Sequence, residues 1–174
     1  MEYKVLNIWV EGPNDKTFAE RIIIPLFEDR YKAIKIIEYA VMSKPDIRQL
    51  LRSIKQLKHD YIFLTDINLT PCVTSRKKKI KNKHRDLDEN QMIVVIREIE
   101  SWYLAGLDDK SCNELRVEPF IETDTITKEK FDLLKPKEFV SRIAFMVEIL
   151  KHFSIDTAKH KNRSFNYFAE KYEL

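Results

Sequence analysis

Tyr61-Ile62-Phe63-Leu64-Thr65-Asp66-Ile67-Asn68 is an apolar run that stops on an acid and an amide. Its first four residues show no polar alternation, the pattern of a strand buried on both faces in a parallel sheet covered by helices. In open α/β sheets ligands bind beyond the carboxyl ends of the strands, and Asp66 and Asn68 stand at such an end. If the chain stays extended, residues two apart face the same side, and two oxygen ligands suited to a hard divalent cation lie together. The competing reading is a turn that Asp66 caps and Asn68 closes. This stretch alone leaves both open.

Working outward, Val5-Leu6-Asn7-Ile8-Trp9-Val10 is a second β-rich run, and it too ends on a carboxylate, in Glu11-Gly12-Pro13-Asn14-Asp15. Gly12 allows a positive φ or a close backbone approach. Asp15 reads as the N-cap of a helix carrying Phe18, Ile22 and Leu26, which Pro25 should kink or end. Residues 34–41 read as a strand, and Ser43-Lys44-Pro45-Asp46 opens a helix with Ile47, Leu50, Leu51, Ile54 and Leu57 on one face. The order strand, helix, strand, helix, strand is that of a parallel sheet with right-handed crossovers.

Beyond Asn68 comes the densest charge run, from Arg76 through Lys77, Lys78, Lys79, Lys81 and Lys83 to Arg85. As a solvated helix or loop it needs no function. Directly after the acidic strand end, it is also placed to hold phosphates. Met92-Ile93-Val94-Val95-Ile96 is a short buried strand, followed by Arg97-Glu98-Ile99-Glu100-Ser101-Trp102-Tyr103, where strand passes into helix. No strand is evident after Asp108. Helices are expected over 127–134, over 138–153 with Phe139, Ile143, Met146, Val147 and Leu150 on one stripe, and after Asn162-Arg163-Ser164-Phe165.

The expected fold is therefore α/β, a mainly parallel sheet of about four strands flanked by helices, with a helical C-terminal part. The 174 residues fit one domain spanning 1–174. With only 2 Gly, Gly-rich phosphate loops are absent. The net charge of +3 decides little. Cys72 and Cys112 lack a metal-type spacing, which argues against a zinc site or a disulfide framework and for a reducing compartment. No signal segment or membrane-length apolar run is present, so the expectation is a cytoplasmic protein with no membrane association.

Glu11, Asp66, Asn68, Glu98 and Glu100 all fall at or just past strand ends. Parallel strands would gather them at one edge, where each close carboxylate pair repels by roughly 4 kcal/mol at an effective dielectric near 20. Mg²⁺ or Mn²⁺ is the simplest relief, and carboxylate, amide and water oxygens are its usual ligands. Such an ion orients a phosphodiester and acidifies a bound water. Only one of Glu98 and Glu100 points inward once the chain is helical.

Val10-Glu11-Gly12 with Asp15, and Asp66-Ile67-Asn68, resemble the Toprim domain of topoisomerases, primases and OLD-type nucleases. Residues 97–105, the Lys135-Pro136-Lys137-Glu138 break and Arg163-Ser164-Phe165 are similar to small stand-alone Toprim-like proteins of the DUF4276 group. The resemblance implies a Toprim-like fold and Mg²⁺-dependent phosphodiester cleavage, with Glu11 and Asp66 catalytic. It also implies phosphate contacts from Arg163 and Ser164, and a partner such as an ATPase. Asn68 stands where that family has the second aspartate of a DxD. The expected function is a divalent-metal-dependent nuclease acting on nucleic acid. The alternatives are a catalytically weakened nucleic-acid-binding module and, further off, a receiver-like phosphorylation switch, which would need an acidic pair after strand one and a lysine ending a fifth strand.

Overall fold

A computed structural model describes residues 4–174, which divide into two compact units, the first running to Val94 and the second from Val95 to Leu174. The protein is α/β. The first unit is built on a parallel sheet of β1 (Val5–Val10), β2 (Ala33–Glu38), β3 (Asp60–Asp66) and β4 (Met92–Val95), in the order β2-β1-β3-β4. Every residue of β1 is buried, as are Tyr61 to Thr65 of β3, which is why both strands read as unbroken apolar runs.

The connections follow from handedness. Right-handed crossovers from β1 to β2 and then back over β1 to β3 place α1 (Pro13–Phe18) on one face and α2 (Lys44–Gln56) on the other. The step from β3 to β4 runs in the same direction as β2 to β3, so α3 (Val73–Lys83) joins α2. The packing agrees: Trp9, Tyr61, Phe63 and Met92 from the strands bury with Ile47, Leu51 and Ile54 of α2 and Ile80 of α3. Leu57, expected on that apolar face, lies past the helix end and is exposed. The chain leaves β1 toward β2 and leaves β3 toward β4, in opposite directions across the sheet, so the carboxyl ends of β1 and β3 flank the switch point where open sheets bind ligands.

Local chemistry sets the helix starts. Ser43 caps α2, its hydroxyl accepting from the Asp46 N–H at 3.3 Å. Gly12, not Asp15, is the N-cap of α1; Pro13 occupies the first turn, where its missing N–H costs nothing, and Asp15 is buried within that turn. Gly12 is extended, with φ −152°, and a Cβ there would meet open space, so neither property expected of it is used. After Phe18 the helix widens into a π turn over Ala19–Ile23 and tightens into a 3₁₀ turn over Ile24–Leu26, where Pro25 withdraws a backbone donor.

The second unit is helical: α4 (Ile99–Ala105), α5 (Asp109–Glu114), α6 (Lys128–Leu134), α7 (Arg142–Lys151), α8 (Ile155–Lys161) and α9 (Arg163–Tyr172). Here α4 packs on α7 and α8, and α8 on α9. The stripe expected on α7 is rotated. Ser141 caps it, leaving Phe139 outside the helix and against Phe145, with ring centroids 4.9 Å apart. Phe145, Met146 and Ile149 are buried, while Ile143 and Val147 are exposed. No helix among the described residues is long and apolar enough to cross a membrane.

Candidate functional site

Strand parity decides what the carboxyl edge presents. Trp9 and Phe63 face α2 and α3, their rings 6.1 Å apart, so Glu11, two residues beyond Trp9, falls on the same side. The β1–β2 register sets Val10 opposite Glu38, and Tyr39 continues it by donating its N–H to the Val10 carbonyl at 3.0 Å. Tyr39 thereby stands beside Glu11. Its ring stacks on Phe63 at 4.5 Å; its hydroxyl donates to the Leu64 carbonyl at 3.1 Å and has Glu11 Oε2 as a longer acceptor at 3.5 Å. Burial first, then the charge of Glu11 and to a lesser degree those of Asp15 and Asp66, push the Tyr39 phenol far above its ordinary value.

α3 supplies the opposite wall. Arg76 is only 7 % exposed and donates through Nε (3.2 Å) and Nη2 (2.8 Å) to the hydroxyl of Thr65, which projects to the same face as Phe63. Ile80, one turn on, enters the core, and His84 follows one turn later. Glu11, Tyr39, Asn68, Arg76, Lys79, Ile80, Lys83 and His84 line one cavity of about 350 Å³. Three cationic side chains and one carboxylate thus share a hollow at the switch point. Burial, with Lys83 and Lys44 adding to it, holds the His84 imidazole below its usual range.

Asp66 ends β3 with the opposite parity to Thr65 and is not among the residues lining the cavity. Asn68 does not continue the strand. At φ 52° it is left-handed, and its amide donates to the Asp66 carbonyl at 3.3 Å. The same-face pairing that needed an extended chain is therefore absent. Among the basic residues, Arg76, Lys79 and Lys83 reach the cavity, whereas Lys77, Lys78 and Lys81 do not line it; the Lys81 ammonium donates to the Leu87 carbonyl. Arg85 lines a smaller neighbouring hollow.

The remaining expected residues lie in the second unit. Glu98 is the N-cap residue of α4, and its carboxylate accepts the N–H of Lys128 at the start of α6. Glu100 is 4 % exposed and 3.8 Å from Arg142 Nη1, whose guanidinium also binds Asp132. Ser164 is buried: its hydroxyl accepts from Ile96 N–H (3.0 Å) and Trp102 Nε1 (2.8 Å) and donates to Asn162 Oδ1 (2.7 Å). Two acceptor sites and one proton are thereby used, leaving nothing for a phosphate. Arg163 is held through Nε and its backbone N–H by the buried carboxylate of Asp124.

The oxygen donors at the sheet edge suit a hard cation. Among the described residues no three of His, Cys, Asp and Glu gather as a ligand set, but Mg²⁺ ordinarily takes one or two carboxylates and completes its shell with water and substrate phosphate. The charges of Glu11 and Asp66 both act on Tyr39, but of the two only Glu11 lines the cavity.

Tyr39 and His84 were not anticipated. Tyr39 gives no composition signal, since only the register places it. His84 was legible: a lone Ile80 inside a charge run must face the core, and residues four before and four after it, Arg76 and His84, share its side. No family model matches the chain, and no curated protein or solved structure matches it either.

Proposed function

We propose that this protein is a divalent-metal-dependent nuclease whose centre is the carboxyl edge of β1 and β3. The observation that carries the reading is the shared cavity at the switch point, where Glu11 faces Arg76, Lys79 and Lys83. A phosphodiester needs cations to neutralise its oxygens and a carboxylate beside them to anchor a metal. In this reading Lys79 and Lys83 draw in the strand and hold non-bridging oxygens. Arg76, fixed on Thr65, orients the phosphate. Glu11 and Asp66 hold Mg²⁺ or Mn²⁺ with Asn68 assisting, and the ion supplies charge stabilisation and an acidified water. Tyr39 stays protonated beside Glu11, so it serves as a hydrogen-bond donor and leaves water as the nucleophile. The resemblance to Toprim-like proteins of the DUF4276 group supports the same assignment of Glu11 and Asp66. The free cysteines Cys72 and Cys112 suit action in the cytoplasm, and an ATPase partner belongs to the same resemblance.

One observation favours a second reading, a nucleic-acid-binding module without turnover: among the described residues Glu11 is the single carboxylate lining the cavity, against three cations. The two part on Asp66→Ala. For a nuclease, strand affinity persists while Mg²⁺- or Mn²⁺-dependent cutting is lost. For a binding module, the parent protein itself releases no product with either ion, and affinity is unchanged by the substitution.

A further inference from the structure

A second, smaller hollow of about 30 Å³ adjoins the first, lined by Lys44, Arg48 and Leu51 of α2 and by Lys83, His84, Arg85 and Asp86. Lys83 and His84 belong to both linings. The two hollows are therefore neighbours across one ridge, the C-terminal end of α3. The fold explains the arrangement, because α2 and α3 share a face of the sheet and the first turn of α2 is set by its Ser43 cap. Four cations (Lys44, Arg48, Lys83, Arg85) against Asp86 give this hollow the same sign of charge as the first. Asp86, half-buried, lies 3.7 Å from Arg48 Nε and 3.6 Å from Arg52 Nε, loose ion pairs with two exposed arginines that leave Arg48 able to turn to another anion.

We propose that the two hollows are consecutive phosphate subsites, so that the ligand is a nucleic-acid strand running from Glu11 over the Lys83–His84 ridge to the first turn of α2. The proposal rests on the reading of the first cavity as a phosphate site and extends it: Lys44 and Arg48 become contacts to the phosphate flanking the one beside Glu11. A mononucleotide fills the first subsite alone. A strand, whose phosphates are separated by sugars, reaches both. A nucleoside triphosphate shares the chemistry, but its phosphates are joined directly rather than through sugars, and its binding is the comparison that separates the two ligands.

The test is binding of dTMP, dTTP and short oligo(dT), without added divalent ion and across a series of salt concentrations, to the parent protein, to Lys44→Gln/Arg48→Gln and to Arg52→Gln. Arg52 pairs with the same Asp86 but lines neither hollow. The double variant is expected to bind oligo(dT) about tenfold more weakly, with the log–log salt slope shallower by roughly 0.7 for each lost contact, while its affinity for dTMP and dTTP stays that of the parent. Arg52→Gln is expected to match the parent for all three. Unchanged oligo(dT) affinity and slope in the double variant overturns the second subsite. An equal loss for dTTP overturns the strand in favour of a polyphosphate, and an equal loss in Arg52→Gln reduces the effect to general surface charge. If the parent binds none of the three ligands, the phosphate reading of the first cavity fails, and this proposal with it.

Discussion

Arg76 shows how one residue changes meaning between sequence and fold. In a run of lysines it reads as one more solvated charge, yet it is buried and hydrogen-bonded to Thr65 while lining the cavity with Glu11. Thr65→Val keeps the shape and removes the acceptor, leaving a buried guanidinium short of a partner. The expected cost is about 1–3 kcal/mol, read as a lower urea midpoint with an unchanged slope. At the opposite edge of the sheet, burial and then the hydrogen bond to Asp60 (2.9 Å) push the Tyr31 phenol up to about 12. The fold thus favours the neutral phenol, and the unfolded chain loses its proton first. The stabilisation is complete below the ordinary value of 10 and is lost as pH rises through about 12. Urea unfolding across that window is expected to fall less steeply in Tyr31→Phe; an identical fall would show that Tyr31 is not the group responsible.

At the scale of elements, β1, β3 and β4 were legible because burial on both faces forbids polar alternation, and Ser43 and Thr127 cap the helices that follow them. What failed was geometry that depends on a single backbone turn. Asp66 and Asn68 are two residues apart in sequence, but Asn68 is left-handed, and spacing cannot foresee that. Glu98 and Glu100 look like strand-end acids because β4 ends just before them. Their partners, the Lys128 N–H and Arg142, come from α6 and α7, remote in sequence. The same holds for Asn162-Arg163-Ser164, which starts α9 and ties it to α4 through Ser164 and Trp102. Ser164→Ala is expected to destabilise the second unit by about 1–3 kcal/mol, because the Ile96 N–H and Trp102 Nε1 lose their acceptor inside the core. Hydrogen exchange at the Ile96 amide should quicken accordingly; protection equal to the parent's would contradict the bonding described.

For the whole molecule, the order β2-β1-β3-β4 could be derived as an α/β class but not as an order, because apolar runs carry no address for their neighbours. Once that order is known, the rest of the candidate site follows from two rules. Handedness puts the basic α3 on the face of α2, and parity turns Glu11 toward it. In the proposed nuclease reading chemistry centres on Glu11 and Asp66, while Glu98 holds the backbone at the start of α6. The most direct test is cleavage of single- and double-stranded DNA and RNA with Mg²⁺, Mn²⁺ or EDTA by the parent, Glu11→Ala, Asp66→Ala and Glu98→Gln, each first shown to be folded. The expected result is metal-dependent cutting that EDTA abolishes, reduced about a hundredfold or more in Glu11→Ala and Asp66→Ala and retained in Glu98→Gln. Cutting that survives both substitutions at the sheet edge, or no cutting of any substrate with either ion, would contradict it.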